Sequence, residues 1–200
     1  KIPVMANIPE VQNASEAIEY ARMAIKAGVD GVNFYGPASL HGFKPTDAEL
    51  TVYWDEVISA VKGPVVIAPN PTQGYKPKPS LIAEMCVRHP QIFAVNLVGI
   101  QGEDYFLELR DLLKPGILLN VPLAGSPDMF SLGATGLICV LANLIPKTVR
   151  RYVDLQERKD PEAARVYADI LRLNRFIESR DEWDGPRWQK MAVKIFKLPG

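Results

Sequence analysis

The sequence predicts an α/β protein centred on a parallel sheet: six strand–helix units of a (β/α)8, or TIM-type, barrel, followed by further C-terminal helices. Three observations predict it. Six short apolar runs are near-continuous rather than alternating, as in strands covered on both faces. Each run is followed by turn residues and a stretch of helical period, and the unit recurs at roughly 20–33 residues, as βα units do. After the sixth run the strands stop and only helical period remains.

The strand candidates are Ile2–Asn7, Gly31–Tyr35, Pro64–Pro69, Ile92–Leu97, Gly116–Val121 and Gly136–Leu141. Between the first two, Asn13 with Glu16 makes a capping-box pattern. The apolar face Ala17, Ile18, Ala21, Ala24 and Ile25 follows, and Gly28 ends the helix. Thr46 with Glu49 repeats the signature before Leu50, Trp54, Val57, Ile58 and Val61, with Gly63 as the closing residue. Pro79, Pro146 and Pro161 suit first helical turns, where a missing N–H does no harm. His89-Pro90 and Lys114-Pro115-Gly116 read as stop signals. Ile145–Arg158, Pro161–Arg180 and Pro186–Lys197 read as three helices, with Asp181–Gly185 as the loop before the last. The expected division is a partial barrel over residues 1–144, then the last barrel helix and a helical appendage over residues 145–200.

Six strands do not close a barrel that needs eight. Either two βα units precede Lys1 or the sheet is an open, doubly wound one. An open parallel sheet exposes two unpaired edges, so the expectation is a barrel lacking its first two units.

Composition narrows the function classes. Lys+Arg 23 balances Asp+Glu 23, so no charge excess points to nucleic acid or an anionic membrane. No window approaches 18 uninterrupted apolar residues, which argues against a membrane span. The start at Lys1 carries no signal-peptide pattern, and Cys86 and Cys139 sit in apolar surroundings as reduced core residues. The expected location is therefore cytoplasmic. Two histidines and no Cys/His cluster argue against a zinc site, and neither a Gly-x-Gly-x-x-Gly nor a Walker-type loop is present. No cofactor is expected.

Residues at the carboxyl ends of barrel strands face the site. Here they are mostly amides: Asn7, Asn70, Asn96, Asn120 and Asn143. They predict a neutral, hydrogen-bonding pocket for a small polar molecule. The competing reading is that asparagine simply tolerates turns and caps helices, and it applies best to Asn143, shortly before Pro146. Glu10, His41, Tyr75, Asp104 and Asp128 are expected on loops of the same face, as acid–base candidates or as solvated side chains. His89 is expected as a carboxy-terminal helix cap. Gly125-Ser126 superficially suggests a phosphate-binding turn. Trp183 to Trp188, with Arg187 and Lys190, reads as a contact segment or as the packing of the last helix.

Three stretches carry a family resemblance. Asn13-Ala-Ser-Glu-Ala-Ile18 runs on to Ala27-Gly-Val-Asp-Gly-Val32; the second is His89-Pro-Gln-Ile-Phe-Ala-Val-Asn96; the third is Leu132-Gly-Ala-Thr-Gly-Leu-Ile-Cys-Val-Leu-Ala-Asn-Leu-Ile-Pro146. In order and at this spacing they resemble the dihydrodipicolinate synthase and N-acetylneuraminate lyase family, from its third strand to its carboxy-terminal helices. The resemblance implies a barrel in which a lysine ending strand six forms a Schiff base with pyruvate or another 2-oxo acid. It also implies a proton-relaying tyrosine ending strand five, a backbone carbonyl contributed by strand eight, and a homo-oligomer, dimer or tetramer.

Carried over position by position, the lysine falls on Asn96 and the tyrosine on Ala68. The strand-eight carbonyl falls on Ile138, and an aromatic pair that many members carry falls on Ala38 and Ser39. An asparagine amide is not nucleophilic and forms no imine; an alanine relays no proton. Val95, Leu97 and Val98 flank Asn96, so a one-residue slip restores no amine, and Lys44, Lys76 and Lys78 are expected on loops, solvated and protonated. Two functions follow. One is a family-like protein without Schiff-base aldolase activity that binds a small polar, 2-oxo acid-like ligand or acts as a partner subunit. The other is an active carbon–carbon lyase or synthase on pyruvate or a related 2-oxo acid, using a relocated residue.

Overall fold

The computed structural model describes residues 2–39, 41–42, 44–70, 73–99, 102–179 and 187–197. Its first compact unit, Lys1–Ile138, alternates strands and helices. They are β1 (Met5–Asn7), α1 (Ala14–Lys26), β2 (Gly31–Phe34), α2 (Asp47–Ser59), β3 (Val65–Ile67), α3 (Pro79–Arg88), β4 (Ile92–Asn96), α4 (Glu103–Leu112), β5 (Leu118–Pro122), α5 (Ser126–Ser131) and β6 (Gly136–Ile138). The six strands form one parallel sheet in sequence order, β1-β2-β3-β4-β5-β6. That order is what successive βα units produce when every crossover runs the same way. The sheet is a curled part-barrel.

Local sequence explains the helix starts. Asn13 caps α1 by accepting from the Glu16 N–H at 2.9 Å. At α2 the capping box is complete: Thr46 Oγ1 accepts from the Glu49 N–H at 3.2 Å, and Glu49 Oε2 accepts from the Thr46 N–H at 2.8 Å. Gly28, at φ +92, turns the chain out of α1 in a left-handed conformation that a side chain would resist. The second helix stops at Ser59, short of the expected Gly63; Val61 lies beyond the helix and is still buried.

The outward residues of the strands pack under the helices. Val32, Phe34, Val65, Ile67, Val95, Leu119 and Val121 join Ala17, Ala21, Trp54, Val57, Ile82, Met85, Phe106 and Leu109 in one apolar layer. Burying side chains of this size stabilises by about 1.5–3 kcal/mol each, which holds the strands in register. Between Val65 and Val66 the β3–β4 pairing slips, Val65 opposing Ile92 and Val66 opposing Ala94. Phe93 is thus the extra residue, and it is partly exposed. The slip lets both Ile92 and Val95 enter the helix-side layer.

The second unit, Cys139–Gly200, holds a short 3-10 turn (Val140–Asn143) and the helices α6 (Pro146–Glu157), α7 (Glu162–Glu178) and α8 (Arg187–Phe196). Here α6 and α7 pack together, with Tyr152 and Tyr167 stacked at 5.5 Å between ring centroids. Pro79 and Pro146 sit in first turns as expected, and Pro161 stands one residue earlier, at the N-cap of α7.

Some expectations need correction. The sixth strand ends at Ile138, not Leu141, because the chain winds into the 3-10 turn. Asn143 lies in that turn, and Ile145, not Asn143, is the N-cap of α6, so the amide caps nothing there. Asp104 and Asp128 are helical, in the first turns of α4 and α5, where a carboxylate is favoured by the helix dipole. His89 is the C-cap residue of α3, yet its ring bonds Asp55 Oδ1 at 2.7 Å instead of the helix carbonyls. Asp181–Gly185 and Trp183 lie outside the described residues.

Candidate functional site

Residues paired across neighbouring strands point to the same face of a sheet. Asn7 pairs with Asn33, Asn33 with Val66, Val66 with Ala94, Asn96 with Asn120, Asn120 with Gly136, and Pro122 with Ile138. Alternation places Ala94 with Asn96, and Gly136 with Ile138. These residues therefore share the face opposite the helices. Val66, Ala68 and Ala94 are buried but do not belong to the helix-side apolar layer. Ala68 continues this face beyond β3, its N–H donating to the Phe34 carbonyl at 2.8 Å.

Three of the amides are joined. Asn120 Nδ2 donates to Asn96 Oδ1 at 2.8 Å, and Asn96 Nδ2 donates to Asn33 Oδ1 at 3.3 Å. Strands β2 and β4 are not neighbours. In a flat sheet they would stand about 10 Å apart, too far for parallel asparagine side chains to meet. The bond from Asn96 to Asn33 exists because the sheet curls and turns this face inward. The chain ends at Asn33, which is 2% exposed and whose Nδ2 has no hydrogen-bond partner among the described residues. At the other end, Gly136 makes room: a Cβ there would come within 2.2 Å of Asn120 Oδ1.

A second polar group stands beside the first. Asn70 Nδ2 donates to Glu10 Oε1 at 2.9 Å, tying the segment after β1 to the segment after β3. Burial raises the pKa of the Tyr35 hydroxyl, the Glu10 carboxylate adds to the rise, and the Asn33 amide opposes it. The Tyr75 hydroxyl is also raised, by burial first and then by Tyr53 and Glu10. Tyr75 donates to the Pro37 carbonyl at 2.8 Å, and Gln73 Nε2 donates to the Gly36 carbonyl at 2.8 Å. Those two bonds fasten the turn after β2. A Cβ at Gly36 would meet Tyr75 Oη at 2.1 Å, so a side chain there would displace Tyr75 from this bond.

The structure thus brings Asn96 and Asn120 together and adds Asn33, Tyr35 and Gln73, which strand-end reasoning missed. The signal for Asn33 was present: an amide inside the run Gly31-Val-Asn-Phe-Tyr35, where the other residues are apolar or aromatic. Asn70 joins Glu10 and not the amide chain; Asn7 is exposed on β1; Ile138 is half-buried at the end of β6. His41 is exposed with φ +54. Gly125-Ser126 opens the six-residue α5 onto a cavity lined also by Glu103 and Asp104, carboxylates that would repel a phosphate. Trp188, Arg187 and Lys190 lie on α8.

The described lysines that sequence analysis weighed stay in solvent. Lys44, Lys76 and Lys78 are exposed. Lys76 Nζ lies 4.3 Å from the centre of the Tyr105 ring, and Lys78 is ion-paired with Asp47. The hydrogen bond that Lys78 donates to that carboxylate raises the Lys78 pKa, which keeps it in the non-nucleophilic ammonium form. No group of three or more His, Cys, Asp or Glu suited to a metal ion occurs among the described residues.

The sequence model of the Dihydrodipicolinate synthetase family matches residues 1–196. The chain belongs to this family. It is 29% identical over 189 residues to the 4-hydroxy-tetrahydrodipicolinate synthase of Pelobacter propionicus, covering 90% of this chain and 61% of that protein. The corresponding Geobacter sulfurreducens enzyme is 30% identical over the same shares. The chain therefore spans about three fifths of the length of these dihydrodipicolinate synthetase relatives. Among solved structures, dihydrodipicolinate synthase from Aquifex aeolicus superposes with a TM-score of 0.86 at 20% identity, covering 98% of this chain and 66% of that one. YagE from E. coli K12, a prophage protein of the same family solved in complex with pyruvate, gives 0.85 at 20% identity, covering 100% and 66%. At these identities the likeness speaks for the fold, a dihydrodipicolinate synthase-type part-barrel with a parallel sheet of six strands.

Proposed function

We propose that this protein is a dihydrodipicolinate synthase-like barrel that binds a small polar, 2-oxo acid-like ligand without forming a Schiff base. The observation that carries the reading is Asn96. It stands at the end of β4, inside the curl, with its amide hydrogen-bonded on both sides, to Asn33 and from Asn120. By the family resemblance this is the lysine position, and the neighbouring tyrosine position is the fully buried Ala68. A Schiff base needs an amine whose lone pair attacks the ketone carbon; the resulting carbinolamine then loses the former ketone oxygen as water while the nitrogen lone pair forms the iminium. An amide lone pair is delocalised into its carbonyl and does not attack. What an amide does instead is donate to a carbonyl or carboxylate oxygen and accept from a hydroxyl. Asn7, Asn70, Asn96 and Asn120, with the Ile138 carbonyl, are the proposed ligand contacts.

In this reading the native protein carries two further βα units before residue 1, as the greater length of the relatives supports. Residues 1–144 then belong to the barrel and residues 145–200 to its last helix and appendage, and the assembly is a homo-oligomer. The test is incubation with pyruvate and borohydride followed by intact and peptide mass spectrometry. The expected result is no adduct, together with saturable binding of 2-oxo acids by ligand-observed NMR. A pyruvyl mass increase on any lysine overturns the reading and favours a relocated Schiff base.

A further inference from the structure

Glu10, exposed to solvent, is the one carboxylate hydrogen-bonded to the inward polar cluster among the described residues. One oxygen accepts from Asn70, itself only 8% exposed, and no cation pairs with Glu10 among the described residues. The groups that feel its charge are neutral: the hydroxyls of Tyr35 and Tyr75. Tyr35 in turn adjoins Asn33, where the amide chain through Asn96 and Asn120 ends. The strand ends therefore present neutral amides on one side and, on the other, a solvent-facing carboxylate that no cation pairs with among the described residues.

We propose that Glu10 is a specificity-determining residue, selecting ligands that offer it a hydroxyl or ammonium donor and rejecting ligands with a second carboxylate at that end. The proposal rests on the ligand-binding reading above and adds to it the polarity of the ligand's far end. Bonds to a charged acceptor contribute more than neutral ones, and a second anion brought close to an unpaired carboxylate is repelled. The amides distinguish none of these ligands by charge; Glu10 does.

The test uses the full chain and its Glu10→Gln variant, which keeps an amide oxygen for Asn70 to donate to. Circular dichroism melting confirms that the variant folds. The probes are 2-oxobutanoate, 4-hydroxy-2-oxobutanoate, 4-amino-2-oxobutanoate and 2-oxoglutarate, with dissociation constants from titration calorimetry. The unmodified protein is expected to bind the hydroxy or the amino probe about tenfold more tightly than 2-oxobutanoate, and 2-oxoglutarate most weakly. A preference for the hydroxy probe names a hydroxyl, and for the amino probe an ammonium, as the donor. In Glu10→Gln the spread is expected to collapse to within about twofold. Equal binding of all four probes by the unmodified protein, or a preference that survives in Glu10→Gln, overturns the role of Glu10 and leaves the ligand-binding reading standing. No binding of any probe overturns both.

Discussion

An asparagine at the end of a buried strand has two jobs open to it: filling hydrogen bonds within the protein, or offering them to a ligand. Asn96 does the first with one donor and one acceptor site of its amide, binding Asn33 and Asn120, and keeps a second N–H and a second lone pair for the other. The arrangement is sensitive to a residue with no side chain at all. In Gly136→Ala the new methyl would stand 2.2 Å from Asn120 Oδ1, so Asn120 must rotate and release Asn96. Overpacking and the lost bond together are expected to lower stability by about 1–3 kcal/mol. Urea unfolding checks this, and a midpoint equal to that of the unmodified protein would show that Asn120 has free space to move.

At the scale of elements, the helices on the outer face rest on local signals as well as on packing. The Thr46–Glu49 capping box is the clearest. Thr46→Ala removes the side-chain acceptor for the Glu49 N–H and is expected to cost about 0.5–2 kcal/mol, read as a fall in the melting temperature. The hydrogen bonds from the Thr46 backbone and side chain lower the Glu49 pKa from its ordinary 4.5. A carboxyl lowered on folding adds stability above its unfolded pKa and loses it as pH falls through the folded one. The difference between the unmodified protein and Thr46→Ala should therefore narrow in acid. A gap that stays constant from neutral pH to pH 3 would count against the box.

The whole molecule has a further pH dependence at the alkaline end. Burial pushes the Cys86 thiol up from 9.0 to about 12 and the Tyr53 hydroxyl up from 10.0 to about 12. Groups whose pKa rises on folding keep their contribution below the unfolded value and lose it as pH climbs toward the folded one. Stability is thus expected to fall between about pH 9 and 12, and Cys86 to resist thiol reagents at pH 8 until the protein unfolds. Labelling of Cys86 in the native protein at the rate of a free thiol would contradict its placement under the helices.

How much of this was legible beforehand differs by level. The six strands, the caps at Asn13 and Thr46, and the helix-side core follow from periodicity and from the chemistry of chain ends, which act within a few residues. That the family's lysine position falls on Asn96 is implied by the family resemblance, and neither periodicity nor spacing gives it. The link between Asn33 and Asn96 was not legible, because those residues are 63 positions apart and meet only when the sheet curls. Nor was the pairing of Glu10 with Asn70, 60 positions apart, or the need for glycine at position 136. Sequence by itself determined which side chains this protein owns and, wherever alternation runs unbroken, which of them share a face of a strand, since alternation is a local rule. Only the tertiary structure decided which of them touch, because curvature and the slip at Phe93 belong to the sheet as a whole and to no single strand.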